Sequence, residues 1–126
     1  MHSANAILGL LCLFQIKHLL ADYFFQTKVM LTGRENYVHL GRALHAGVHA
    51  LLSIAVLAVF GTPAWLILVL VVGEWVVHFH IDWWKASDTL KKQLTPADAG
   101  FWRGFGIDQA LHQLTYIGMV WVWSFY

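Results

Sequence analysis

Residues 64–84 read AWLILVLVVGEWVVHFHIDWW. A helix crossing the ~30 Å hydrocarbon core of a bilayer needs about 20 residues, so the stretch is long enough to span. Its leading portion, 64–72, is almost wholly apolar, yet His78 and Asp82 stand near its end, four residues apart. That spacing puts both side chains on one helix face, with Cβ atoms about 5–6 Å apart, close enough to grip one ion. Ionisable groups are costly in hydrocarbon and mark function there. The stretch is predicted to be a membrane helix carrying a dedicated polar stripe.

Three further stretches fit a span, roughly 5–27, 43–60 and 106–125, and each carries the same device: His18/Asp22, His45/His49 and Asp108/His112. The predicted fold is therefore all-α, a single domain over 1–126 built as an antiparallel bundle of four transmembrane helices. Composition agrees, with 59% hydrophobic and only 12% charged residues, where a soluble domain carries about 25% charged. The lone Cys12 lies in an apolar run and offers neither a disulfide framework nor a cysteine metal motif. A formal charge of +1 with no basic stripe argues against nucleic acid as a partner. The first stretch has no basic residue ahead of it and no small-residue cleavage pattern behind it, so it reads as a retained helix and not a signal peptide.

Charge sorts the connections. Of eight Lys and Arg, seven (Lys28, Arg34, Arg42, Lys85, Lys91, Lys92 and Arg103) lie in or beside the two longer loops. The positive-inside rule then places both loops in the cytoplasm and both termini outside. Trp83-Trp84 at one interface and Trp65, Trp121, Trp123 and Tyr126 towards the other fit aromatic belts. Thr95-Pro96 resembles an N-cap with proline at the first helical position, starting a short turn through 97–100.

The four pairs also agree in depth. At 1.5 Å rise per residue, His18, His49, His78 and His112 all fall about 10–15 Å from the cytoplasmic loop charges, and Asp22, His45, Asp82 and Asp108 one turn nearer that surface. Two layers of donors thus meet at matching depths. Imidazole with carboxylate suits zinc first, with iron or manganese as alternatives. Eight donors exceed the four of one tetrahedral ion, so one divalent ion with supporting donors or two ions with a bridging aspartate both fit.

Neighbours extend the stripes. Glu74 lies one turn deeper than His78 on the same face and is a candidate ligand or general base. Lys85 follows Asp82 by three residues and is a candidate to hold an anionic group at the mouth. Gln26 continues the His18/Asp22 stripe, while Gln109 and Gln113 flank the last pair. Lys17 is about 100° off that stripe, placed to snorkel or to pair with an acid. His80 points away from His78 and reads as an interface residue; His2 and His39 read as surface or loop residues. Gly47, Gly73, Ala21, Ala46 and Ala110 are expected to let backbones approach closely.

His18-x-x-x-Asp22-x-x-x-Gln26, His45-x-x-x-His49, His78-x-x-x-Asp82-x-x-Lys85 and Asp108-Gln109-x-x-His112 together resemble an uncharacterised bacterial integral-membrane family, domain of unknown function 3307, over residues 15–115. The resemblance implies four membrane helices in a bacterial or phage-encoded protein and marks the same polar residues; it implies no activity, because none is established for the family. More loosely, the layout is similar to membrane-bound metal-dependent hydrolases of bacterial inner membranes, whose histidines and acids also lie near helix ends.

The function read from these residues is an intramembrane metal centre near the cytoplasmic face, serving hydrolysis of a lipid or lipid-linked phosphoester. Transport or sensing of a divalent metal or proton is one alternative, although the outer segments 54–60, 63–72 and 117–123 offer almost no polar path. The other is a non-catalytic subunit in which a metal or polar core staples helices that bind a membrane-protein partner. A homo-oligomer completing the site in trans is compatible with either.

Overall fold

The computed structural model describes residues 2–126 and is all-α, with no strand among the described residues. Four long helices, α1 (Ala4–Tyr23), α3 (Leu40–Val59), α4 (Ala64–Lys91) and α5 (Ala99–Ser124), pack around a ring, each against the next, with the short α2 (Lys28–Leu31) lying on α3. Neighbours run antiparallel: Trp123, near the end of α5, donates to Thr62 just before α4, and Gly9 near the start of α1 faces Phe60 beyond α3.

Three of the long helices, α1, α3 and α4, are long and apolar enough to cross a membrane. The expectation of four is corrected at α5, which has 26 residues but falls short in apolarity. The run Asp108, Gln109, His112, Gln113, Thr115 and Tyr116 dilutes it. Among these, Asp108, His112 and Tyr116 are buried against the other helices.

Helix ends also move. α1 stops at Tyr23 and not at 27, because the amides of Phe24 and Phe25 both turn back to the Leu20 carbonyl, so Gln26 leaves the helical stripe. α4 runs on from 84 to Lys91, ending where Gln93 takes a positive φ of 52°. α5 begins at Ala99 and not at 106. Asp98 holds the cap position; Thr95 opens the short turn before it, its hydroxyl oxygen accepting from the Ala97 amide at 3.4 Å while its own amide and hydroxyl donate to Asp98 Oδ2, at 2.8 Å each. Those bonds, the amide first, keep the Asp98 carboxyl below the usual aspartate range.

The half of the bundle nearer the termini is a packed apolar core of Leu10, Phe14, Leu57, Leu66, Leu70, Met119 and Trp123. Trp123, expected in an aromatic belt, is 1% exposed inside it, whereas Trp65 and Trp121 face outward. Ala21 and Ala46 are buried at helix contacts, but Ala110 faces out, and a Cβ added at Gly47 or Gly73 would meet nothing within 4 Å. The close approach lies instead at Gly41, where a Cβ would stand 1.9 Å from the Val29 carbonyl oxygen. α2 can lie on α3 only because that side chain is missing.

Candidate metal centre

Above the apolar core the interior turns polar, one helical turn at a time. α1, α3, α4 and α5 each contribute one four-residue pair, and the eight side chains meet in a single cluster. His18, His45, His49, His78, Asp82, Asp108 and His112 are all buried, and Asp22 is 15% exposed.

Three carboxylates organise the imidazoles. Asp22 Oδ1 lies 2.8 Å from His49 Nε2 and 3.1 Å from His45 Nε2, and its Oδ2 lies 3.0 Å from His18 Nε2. Asp82 stands 3.3 Å from His112 Nε2, 3.5 Å from His78 Nε2 and 3.7 Å from His45 Nε2. Asp108 Oδ1 is 3.5 Å from His112 Nε2. The rings crowd together, with centroids 4.0 Å apart for His49 and His78 and 4.1 Å for His78 and His112.

Two groups of donor atoms within 4.8 Å of one another emerge: Asp22, His45, His49 and His78, and then His78, Asp82 and His112. Ligands on a tetrahedral ion with bonds of about 2.0–2.1 Å are separated by roughly 3.4 Å, so the first group matches one such ion in number and scale. Buried polar atoms normally have hydrogen-bond partners, yet His78 Nε2, a member of both groups, makes no hydrogen bond and has Asp82 Oδ2 only at 3.5 Å. Donor chemistry, spacing and this unsatisfied nitrogen all fit a divalent ion. His18 and Asp108, expected as ligands, lie outside both groups: His18 hydrogen-bonds Asp22, and Asp108 contacts His112.

Residues outside the four pairs complete the cluster. His18 Nε2 faces two acceptors, Asp22 and Gln109 Oε1 at 3.0 Å, so it carries the proton, and its Nδ1 accepts from the Tyr116 hydroxyl at 2.8 Å. Tyr116 Oη also lies 3.3 Å from His49 Nδ1, tying α5 to α3 across the bundle. Arg34, from the loop after α2, pairs with Asp82 Oδ2 at 2.6 Å. Tyr116 and Arg34 escape sequence reasoning for different reasons. Tyr116 sits one turn beyond His112 and reads as an ordinary aromatic, whereas Arg34 belongs to a loop with no periodicity to place it.

Glu74 is 1% exposed, and its Oε1 accepts from the Lys17 ammonium, which also lies 3.5 Å from His49 Nδ1. Lys17 therefore pairs with an acid and does not snorkel. Lys85 sits at the mouth, 3.9 Å from Asp108 Oδ2 and over the Phe105 ring. His80 is exposed and meets Tyr37 at 3.1 Å; His39 caps α3 by accepting from the Arg42 amide. Arg42 is not a loop charge. It is wholly buried and donates to the carbonyls of Arg34, Asn36 and Tyr37.

A polar cleft of about 100 Å³, bordered by Asp22, Gln26, Arg34, Asp82, Lys85 and Asp108, leads from the cluster to the surface. The cluster is thus reached from the loop end and closed by apolar packing at the other.

The chain belongs to the family described as protein of unknown function DUF3307, whose model matches residues 10–126. No curated protein and no solved structure matches it.

Proposed function

We propose that this chain is a membrane-embedded, metal-dependent hydrolase of a lipid or lipid-linked phosphoester, with Asp22, His45, His49 and His78 holding the ion. The observation that carries this reading is the convergence of imidazole Nε2 atoms and carboxylates on one buried volume that opens through a polar cleft. In this reading α5 is a fourth span whose polar residues turn inward, the loops bearing Arg34 and Lys91 face the cytoplasm of a bacterium, and the termini lie outside.

Zinc suits the mixed donor set, with iron and manganese as the alternatives. Charge favours one ion. Asp22, Glu74, Asp82 and Asp108 oppose Lys17, Arg34 and Lys85, leaving a single negative charge with neutral histidines. One divalent ion brings that to a single positive charge, and a second would leave three in a buried site. When bound, the ion supplies Lewis acidity and makes water ionisable near neutral pH.

The protein's own residues do the remainder. Asp108 borders the cleft, with its Oδ1 in no hydrogen bond and 3.5 Å from His112 Nε2, and is placed to take a proton from an entering water. Glu74 is less suited, because Lys17 already neutralises it. Lys85 and Arg34 border the cleft and hold a phosphate at its mouth. The apolar packing towards the termini supports a site served from one side, which disfavours transport. A polar core without an ion is the reading favoured by Asp22 accepting from three imidazoles.

Elemental analysis separates the two. Protein purified without a nickel column should carry about one equivalent of transition metal. His45→Ala/His49→Ala should lose it, together with metal-dependent phosphate release from phosphatidic acid or an isoprenyl phosphate. Wild type that neither contains nor takes up zinc, iron or manganese would overturn the proposal.

A further inference from the structure

The two stretches of helix that the spans did not anticipate, the end of α4 and the start of α5, enclose a second cavity. It measures about 520 Å³, inside the ~300–1,000 Å³ range of small-molecule sites. Its flank is mostly apolar, formed by Ala86, Leu90, Leu94 and Phe101. Its inner end is formed by Arg34, Asp82 and Lys85, which also border the polar cleft above the His/Asp cluster. One continuous surface therefore runs from exposed aliphatic side chains, through two cations, to the candidate metal centre.

We infer that this groove binds an anionic amphiphile, with its headgroup on Arg34 and Lys85 and its chain along Leu90, Leu94 and Phe101. Charge complementarity selects the headgroup. Arg34 pairs with Asp82 through Nη2 and stays 19% exposed, and Lys85 holds Asp108 only at 3.9 Å and stays 27% exposed. Both cations thus keep hydrogen-bonding capacity, and charge-assisted bonds to an anion are the strong kind. The apolar flank selects an amphiphile over a free anion. Its level selects a lipid-like one: α4 spans about 40 Å at 1.5 Å per residue, so its last turns emerge from a ~30 Å hydrocarbon core into the interface. The inference deepens the hydrolase reading by assigning its substrate site, and it rests on that reading for its catalytic meaning alone.

Chelator-treated protein in an uncharged maltoside detergent tests it, because binding there is independent of turnover. The probe is dodecyl phosphate, with dodecyltrimethylammonium and inorganic phosphate as the other arms, measured by native mass spectrometry and by isothermal titration. Saturable binding of dodecyl phosphate is expected, weakened about tenfold or more in Lys85→Gln and in Leu90→Asp, with little binding of the cation or of phosphate alone. Both variants should fold, since Leu90 is 60% exposed and Lys85 is partly exposed, and retained metal uptake checks that. Equal binding of the cationic probe, or variants that bind like wild type, would mean unspecific lipid contact and overturn the inference. Inorganic phosphate binding as tightly as dodecyl phosphate would reduce the site to an anion hole and overturn it as well. Binding intact in a protein with no hydrolysis would sink the hydrolase reading and leave this one standing.

Discussion

Lys17 on α1 and Glu74 on α4 form an ion pair across the diagonal of the bundle, joining two helices that are not neighbours in the ring. The pair lies between the apolar core and the imidazoles, with the Lys17 ammonium over the Tyr116 ring at 4.4 Å from its centroid. Both side chains are almost fully buried, 3% and 1% exposed. Two charges at that depth are costly to desolvate, and only their mutual attraction and hydrogen bonds offset the cost.

Removing one member should therefore hurt more than removing both. Glu74→Gln leaves an uncompensated ammonium and is expected to cost about 3–5 kcal/mol, while Lys17→Met/Glu74→Met should return most of it. Thermal unfolding in detergent measures the difference. A double variant as unstable as the single one would show that the pair does not act through burial of opposed charges. Turnover in the double variant also decides whether Glu74 has any part in proton transfer.

His78 belongs to both groups of potential ligands, and His112 to only one. If a single ion sits among Asp22, His45, His49 and His78, then His78→Ala should lower metal content to near zero. His112→Ala should leave about one equivalent, because it leaves four donors in place. Wild type carrying two equivalents, with one lost in His112→Ala, would establish a two-ion site instead. The measurement needs no substrate, so it stands apart from any assay of hydrolysis.

The four paired motifs were legible because α-helical periodicity translates directly into a shared face. His18/Asp22, His45/His49, His78/Asp82 and Asp108/His112 needed only antiparallel helices of the right length to reach one level. What sequence could not deliver was division of labour inside the cluster. Whether His18 binds an ion or holds Asp22 depends on packing between helices, which the periodicity of one helix does not set. In the proposed four-span reading α5 marks the limit of hydropathy, since Asp108, His112 and Tyr116, which lower its average, are buried against neighbouring helices. Loop residues were least legible. Arg34 and Arg42 counted only as positive charge near a surface, yet one pairs with Asp82 and the other is wholly buried.

Arg42 holds the loop that carries Arg34. Its guanidinium sits 4.2 Å over the Phe79 ring and donates to the carbonyls of Arg34, Asn36 and Tyr37, while Trp83 and Ser87 of α4 both donate to the Glu35 carbonyl. The loop that carries Arg34 to Asp82 is thus held from α3 and α4 together. A lysine keeps the charge but cannot present the planar fork that reaches several carbonyls at once. Arg42→Lys should cost about 1–3 kcal/mol, the range for one or two lost bonds from a charged donor. Limited proteolysis should then cut within residues 32–39 faster than in wild type. Metal content should be kept, because none of the donors in the two groups lies on this loop. Dodecyl phosphate binding should weaken, because Arg34 loses its fixed position. Unchanged cleavage within the loop would mean that Trp83 and Ser87 hold it unaided, and that the buried arginine serves only the packing of α3 on α4.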